Sequence, residues 1–320
     1  MLGLLMLSCN EIGQKKTFPE SEEIKIKINP RNFSDSEFFL SDIADDIIYI
    51  PLDDSILIGS DHFSFKVINH KIYLGGEGNL VYFNMEGKNP KQIGNIGKGP
   101  GEYLYCSYFA VDENGNIYVL GKRNAILVYS PNGRFIKEIK LPAGSFFQDI
   151  DFLGSSLFLA EYIHGGHSPN RWLIIDTTGI VLSQKHNFLP PSTSGRGPAG
   201  GIYKYRNEIS YWDNKIDTVY SIKTDFTYKP SLVVPPGNHR LPFDGIPFNI
   251  SPREYIEKHR EFFLLGDIIE TNKYYFLNYQ YERKMNIALI NKDNGEIRRG
   301  RMAASLSTAD AHKWGISNDI

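Results

Sequence analysis

Cysteine is nearly absent: Cys9 and Cys106 are the only two in 320 residues, and their surroundings differ so much that no disulfide framework is on offer. Charge of one sign is missing too. The 35 basic side chains almost cancel the 37 acidic ones, so no global field attracts a polyanion, and nucleic-acid binding is disfavoured. Beyond the first few residues, no segment approaches the ~18 to 20 uninterrupted apolar residues that cross a bilayer as a helix. A Gly-x-Ser-x-Gly nucleophile motif is also lacking. What is plentiful is aromatic, with 19 Tyr and 20 Phe. Such side chains suit strands standing on pleated, half-buried surfaces.

The two cysteines need separate explanations. Cys9 closes a short apolar run of Leu2, Leu4, Leu5, Met6 and Leu7, followed by Ser8. This matches the distal half of a lipoprotein signal peptide, in which a small residue before the cysteine permits cleavage and Cys9 becomes the lipid-modified first residue. The basic n-region is missing and the apolar run is short, as a start codon placed too late would produce. The competing expectation is a cytosolic chain with an incidental apolar N-terminus. On the first, residues 1–9 are a truncated signal peptide, 10–23 a flexible tether and 24–320 a folded domain in the cell envelope, on the periplasmic or the cell-surface side of the outer membrane. Cys106 reads as a small buried hydrophobe or an idle thiol.

Ile24, Ile26 and Ile28 alternate with Lys25 and Lys27, the period of a strand with one buried face, and Ile47 to Leu52 reads as a second strand. From there the chain repeats. Apolar triplets recur at Ile72-Tyr73-Leu74, Ile117-Tyr118-Val119 and Leu157-Phe158-Leu159. Each is followed by a second strand ending in a turn, at Asn84-Met85-Glu86-Gly87, Ser130-Pro131-Asn132-Gly133 and Asp176-Thr177-Thr178-Gly179. Glycine supplies the positive φ such a hairpin requires. Gly87, Gly133 and Gly179 are spaced 46 residues apart, a fourth copy lies at Asn291 to Gly295, and a worn one at Val219 to Ile222. A period in the forties with several strands and one tight turn per unit predicts an all-β propeller. The length from Asp42 onward holds close to six units. One helical insertion is expected from about Pro252 to about Phe263, because Ser251-Pro252-Arg253-Glu254 has capping-box spacing with proline at the first helical position.

Between the first two units lies Ile93-Gly94-Asn95-Ile96-Gly97-Lys98-Gly99-Pro100-Gly101-Glu102-Tyr103. This stretch resembles the inter-blade signature of six-bladed, NHL-like β-propeller lipoproteins of Gram-negative gut anaerobes. Asp46 to Leu52, Ser251 to Tyr255 and Ser317-Asn318-Asp319-Ile320 extend the resemblance. It implies a six-bladed NHL-like ring and hardly any chemistry, since most such proteins have no established activity. Members usually continue past the Asn-Asp-Ile segment with a final blade that pairs with the N-terminal strand. The last blade is therefore expected to be incomplete here, leaving an edge near Ile47 to Leu52 exposed.

Each candidate for chemistry has a blander competitor. Gly97-Lys98 suggests a phosphate loop, yet Gly99 rather than Ser or Thr follows and a strand comes next, so Gly94, Gly97, Gly99, Pro100, Gly101, Glu102 and Tyr103 read as a structural turn. His164-Gly165-Gly166-His167 offers two imidazoles without further ligands. Asp112 to Asn116 lacks the glycine and glutamate of a calcium loop. No metal or cofactor is expected. Among the carboxylates available for acid–base work are Glu102, Asp149, Asp151, Glu161, Asp213, Asp217 and Asp267, and a hydrolase or lyase acting on carbohydrate would need two of them to converge across the channel. Aromatics assigned to end loops are Tyr162, Trp172, Tyr203, Tyr205, Tyr211 and Trp212, suited either to stacking on sugars and extended peptides or to packing between blades. The expected role is thus a monomeric, lipid-anchored binding module for a protein or glycan, touching the membrane only through its anchor.

Overall fold

The computed structural model describes residues 24–25, 46, 48–56, 63–76, 78–122, 124–144, 146–161, 169–188, 200–213, 218–240, 251, 254, 257, 260, 262–282 and 284–301. A two-residue strand, β1 (Ile24–Lys25), precedes the repeats. Blade 1 comprises β2 (Phe63–Ile68), β3 (Lys71–Gly76), β4 (Leu80–Asn84) and β5 (Lys91–Ile93). A linking pair follows, β6 (Asn95–Ile96) and β7 (Glu102–Tyr103). Blade 2 is β8 (Phe109–Val111), β9 (Ile117–Lys122), β10 (Ala125–Tyr129) and β11 (Phe135–Lys140). Blade 3 is β12 (Phe147–Leu153), β13 (Ser156–Glu161), β14 (Asn170–Ile175) and β15 (Val181–His186). Blade 4 contains β16 (Gly201–Tyr205), β17 (Glu208–Trp212), β18 (Thr218–Ile222) and β19 (Tyr228–Val233). Blade 5 contains β20 (Leu264–Glu270), β21 (Tyr274–Tyr281), β22 (Lys284–Asn291) and β23 (Ile297–Arg301).

Within each blade the four strands are antiparallel and lie in chain order. The first strands of blades 2 to 5 are neighbours around the axis, β8 beside β12, β12 beside β16 and β16 beside β20. This is a β-propeller. Its cores lie between blades, because alternate residues of one strand face opposite neighbours. On β10, Leu127 and Tyr129 join Tyr73, Leu80 and Ile93 of blade 1. Ile126 and Val128 instead join Phe147, Ile150 and Leu159 of blade 3. Phe158 and Ala160 then turn to Ile209 and Tyr211 of blade 4, and Val219 and Leu232 to Leu277 and Ile290 of blade 5. A strand apolar on both sides reads as an unbroken hydrophobic run, which is why the triplets stand out in the sequence.

The hairpin glycines occupy matching corners. Gly87, Gly133, Gly179 and Gly295 have φ of 73, 78, 98 and 71°, and each N–H donates back to the first residue of its turn, Asn84, Ser130, Asp176 or Asn291. In blade 4, Phe226 takes the same place with φ 67°, so a non-glycine bears the left-handed conformation. An added Cβ on Gly133 would meet Gln92 O at 2.7 Å, and one on Gly179 would meet Ile139 Cγ2 at 2.9 Å. Each turn therefore abuts the outer strand of the preceding blade. On Gly87 the corresponding atom is Pro51 O at 2.4 Å.

Three expectations are corrected. Five four-stranded blades, not six, occur among the described residues. Dividing length by period assumed uniform spacing, whereas residues 234–263 separate β19 from β20. No strand forms among the described residues of 47–52. Ile50 instead buries itself on the open face of blade 1 with Ile72, Leu74, Val81 and Phe83, and Asp53 N–H donates to Gly87 O at 2.8 Å. The segment thus stands where a preceding blade's outer strand would stand. β1 pairs in parallel with β19, Ile24 opposite Leu232, and so adds to blade 4 rather than to a terminal blade. The expected helix lies largely outside the described residues. Within it Glu254 and Glu257 are helical, and Glu254 N–H donates to Ser251 Oγ at 3.2 Å, the cap that the spacing implied. Residues 302–320 lie outside the description.

Alanine at two of these glycines separates conformation from packing. Gly295→Ala, with nothing within 4 Å of the new methyl, should lose only the left-handed backbone penalty of about 1 kcal/mol. Gly133→Ala adds the collision with Gln92 O and should lose about 2 to 4 kcal/mol. Urea unfolding of both variants reads the difference, and equal losses would contradict the blade-to-blade contact.

Candidate functional site

The axis of the ring is crossed by a side chain. Lys66 leaves β2 in blade 1 and reaches β12 in blade 3, where its ammonium donates to Asp151 Oδ2 at 3.0 Å and Ile150 O at 3.2 Å. It passes 5.6 Å from the centre of the Phe109 ring on the intervening blade. Lysine and aspartate are 23% and 19% exposed, so the pair is sheltered enough to hold its geometry. Two residues earlier on the same strand, Asp149 accepts from the Ile150 N–H at 2.8 Å. Burial pushes its carboxyl up to about 6; Lys66 and the backbone amides of Ile150 and Ile202 oppose that rise, while the charge of Asp151 adds to it.

One end of β12 leads into a second polar group, lodged between blades 3 and 4. Phe147 pairs with Glu161 and Asp149 with Ala160, which leaves Gln148 as the extra residue of a β-bulge. The bulge aims Gln148 at blade 4, where its Nε2 donates to Gly200 O at 3.1 Å. Gly200 itself packs on β17, where an added Cβ would fall 1.9 Å from Trp212 O. On β13 and β14, Asn170 Nδ2 donates to Glu161 Oε1 at 3.0 Å. Arg171 Nη1 donates to Asp213 Oδ2, which also accepts from the Tyr211 hydroxyl at 3.3 Å. Gln148, Glu161, Asn170, Arg171 and Asp213 are all buried.

The donors of this group are turned inward. Both amides are fixed in orientation, because flipping Asn170 would set its oxygen against the Glu161 carboxylate and flipping Gln148 would set its oxygen against a carbonyl. In the resulting arrangement Gln148 Oε1 and Asn170 Oδ1 are buried and accept no hydrogen bond. A buried acceptor left without a donor costs about 1 to 3 kcal/mol. Asn278 Oδ1 in blade 5 is buried without a partner in the same way.

The aromatics expected at channel loops lie elsewhere. Trp172 is 1% exposed, packed on Phe158, Tyr211 and Tyr228. Tyr203 is buried between blades 4 and 5, its hydroxyl donating to Glu270 at 2.9 Å. Trp212 is buried against Gly201. Tyr205 lies at the opposite end of β16, its hydroxyl donating to Asn272 at 2.8 Å in the β20–β21 turn. Inter-blade packing uses the same residue types as a stacking surface, and it claimed these four. Tyr162, His164, His167, Asp217 and Cys9 lie outside the described residues.

The glycine-rich stretch is a clip between blades 1 and 2. β6 and β7 pair in parallel, Gly99 N–H donates to Glu102 Oε2 at 2.7 Å, and Gly97 N–H donates to Tyr103 O at 2.9 Å. Tyr103 donates to Ile93 O at 2.8 Å and accepts from Leu80 N–H at 2.9 Å, while the Tyr129 hydroxyl donates to Gly101 O at 3.0 Å. Gly94 and Gly101 have φ of 59 and 70° and press on Tyr129 and Phe135, and Pro100 follows in the same turn. A Cβ on Gly97 would fall 2.0 Å from Glu102, and Gly99 is nearly as crowded. Cys106 is buried beside the clip, and burial pushes its thiol up to about 11. Asp112 accepts from Asn116 N–H at 2.7 Å and closes the β8–β9 turn. Lys66, Gln148, Asn170 and Arg171 escaped sequence reasoning. Their one visible signal is polarity next to strands that are otherwise apolar on both sides, as in Asn170-Arg171 before Trp172 to Ile175.

Protonated Asp149 is the form the fold prefers. Since its value rises from 3.8 to about 6, its contribution to stability is complete below pH ~4 and is lost as pH climbs through 6. Asp149→Asn should therefore gain about 1 to 3 kcal/mol at pH 7.5 and almost nothing at pH 4.5 by urea unfolding. Lys66→Met should lose about 1 to 3 kcal/mol at pH 7.5. A pH-independent effect of the asparagine would contradict the burial of that carboxyl.

Comparison with curated proteins gives no match. Among solved structures, a protein described as exported from Bacteroides fragilis NCTC 9343 superposes with a TM-score of 0.64 at 20% identity, covering 87% of this chain and 79% of its own. A DUF4221 family member from Bacteroides vulgatus gives 0.50 at 15% identity, covering 78% and 83%. These likenesses concern the fold. At the level of sequence, the family described as a domain of unknown function, DUF4934, matches residues 23–320, and this chain belongs to it.

Proposed function

We propose that this protein is an extracytoplasmic binding module, held to the cell envelope by a lipid on Cys9, that receives a protein or glycan partner at the end of the channel between blades 3 and 4. It acts as a monomer. The observation that carries the proposal is the buried polar contact between the two blades, where Gln148 Nε2 donates to Gly200 O and Arg171 Nη1 to Asp213 Oδ2 while Gln148 Oε1 is left without a donor. A folded chain keeps such a deficit where a partner relieves it. The exported character of the Bacteroides fragilis relative and the Ser8-Cys9 box support the address. Among the described residues no helix is long and apolar enough to cross a membrane.

A second proposal, carbohydrate hydrolysis or elimination, is favoured by one feature. Burial pushes the Asp149 carboxyl up to about 6, which suits it to give a proton, and Asp151, bonded to Lys66, stands beside it on the same strand. Two residues apart on a strand, their Cα atoms lie roughly 6.6 Å apart.

The two separate experimentally. Gln148→Met with Asn170→Leu keeps volume and removes both acceptors. It should abolish capture of the partner from solubilised envelopes and on a glycan array, with the thermal transition, lowered by the lost bonds to Gly200 and Glu161, still well above the assay temperature. Unchanged capture would overturn the binding proposal, and turnover of a polysaccharide lost on Asp149→Asn would replace it with the second. Cys9→Ala should move the protein from the detergent-soluble membrane fraction to the soluble fraction.

A further inference from the structure

We infer that the outer rim of blades 2 and 3 rests on a lipid surface bearing anionic headgroups. Large apolar side chains gather there in water. Phe135 and Ile136 on β11, Ile180 just before β15, and Val181 and Leu182 on β15 are each 41 to 63% exposed. Both strands are the outer edges of their blades, and the turn of blade 3 sits on β11. Lys137 Nζ donates to Thr177 O at 2.7 Å, and a Cβ on Gly179 would fall 2.9 Å from Ile139 Cγ2. Ile180 follows that glycine directly, so the two apolar runs belong to one stretch of rim. Within it, Val128 pairs with Lys137 and Tyr129 with Phe135, while Ile174 pairs with Ser183 and Ile175 with Val181. Ile136 and Leu182 are thus the extra residues of two β-bulges, at the same place after Gly133 and Gly179. A bulge interrupts the row of edge hydrogen bonds, so these edges suit a surface that requires no strand pairing better than they suit an added strand.

Charge and the position of the tether name that surface. Arg134, Lys137, Lys140 and Lys185 lie on these two strands and their turns, against Glu138 and Asp176. Glu138 is already met by Lys122 at 3.5 Å, and Asp176 accepts from the N–H groups of its own turn, Thr178 at 2.8 Å and Ile180 at 2.9 Å. The rim is therefore positive, although the chain as a whole carries a formal charge of -2. Apolar side chains flanked by lysine and arginine enter the boundary of a bilayer while the cations meet anionic headgroups. The tether leaves from the same side of the ring. β1 pairs with β19, the outer strand of blade 4, and β19 stands next to β15, where Lys185 Nζ donates to the Tyr228 hydroxyl at 2.6 Å. Residues 10–23, which separate Cys9 from Ile24, span at most ~50 Å. This step rests on the lipid at Cys9 proposed above, which holds the edge of blade 4 and the neighbouring rim within that distance of the bilayer. The rim contact is reversible and adds to the anchor rather than replacing it.

Vesicle flotation of the full chain carrying Cys9→Ala, which takes no lipid, tests the rim by itself. The vesicles are phosphatidylcholine alone, or phosphatidylcholine mixed with phosphatidylglycerol. This parent should float with the mixed vesicles at least ~fivefold better than the same chain with Ile136→Ser and Leu182→Ser, changes that fall at exposed bulge positions and leave the blade cores alone. Parent and variant share one N-terminus, so Leu2 to Leu7 cancel from the comparison. Arg134→Gln with Lys140→Gln should erase the preference for mixed over neutral vesicles, as should ~1 M salt. Flotation unchanged by the serines, or a parent that does not float, overturns the inference. So does a preference for mixed vesicles that survives the glutamines. Failure of the anchor is read separately, in the membrane fractionation of the protein with and without Cys9. If fractionation depends on Cys9 while the serines leave flotation unchanged, the anchor stands and the rim contact falls. If fractionation is independent of Cys9, the anchor falls and flotation alone decides the rim.

Discussion

Every blade of this protein is apolar on both faces, and none can bury both alone. Leu127 and Ile126 are consecutive on β10 and face different neighbours, each fully buried. Removing one blade would expose half of two interfaces, so the blades are stable as a series in which each shields the next. The same constraint explains the Ile50 to Asp53 segment. Blade 1 has no predecessor among the described blades, and this stretch covers the face that would otherwise meet water and seats Pro51 against Gly87.

Once the faces are consumed by packing, polar chemistry is confined to strand ends and to the axis. The bulge at Gln148 shows how a propeller makes room for it. One extra residue on an inner strand breaks the alternation and turns an amide towards the next blade, where it donates to Gly200 O. The Arg171–Asp213 pair ties the blades together at the same level. A buried ion pair of this kind contributes little net stability, but losing either member strands the other, so it holds the two blades in one relative position. Gln148 and Arg171 are accordingly held as rigidly as the inter-blade core around them.

Membership of the DUF4934 family and the superposition on two Bacteroides proteins fix the architecture without naming a ligand. The functional proposal therefore stands on individual atoms. A single strand, β12, carries both of its aspects: Gln148 at the acceptor group and Asp149 and Asp151 at the Lys66 bridge.

The repeat was legible in the sequence because the left-handed turn favours glycine, so Gly87, Gly133 and Gly179 print the period directly, while Phe226 at the same corner of blade 4 hides one copy. The apolar triplets were legible because a strand buried on both sides needs an unbroken hydrophobic run, and the clip because its glycines are crowded by Glu102, Tyr129 and Phe135. Blade number was not, since the segments between units obey no period. Nor was the site. Lys66 and Asp151 are 85 residues apart and meet only because the ring closes space that the chain leaves open. Trp172 and Tyr203 look the same in sequence whether they stack on a ligand or on another blade, and only the assembled neighbours decide which. Local conformation is paid for residue by residue and leaves its mark in composition; contacts across the ring depend on the angle between blades, which no single residue encodes.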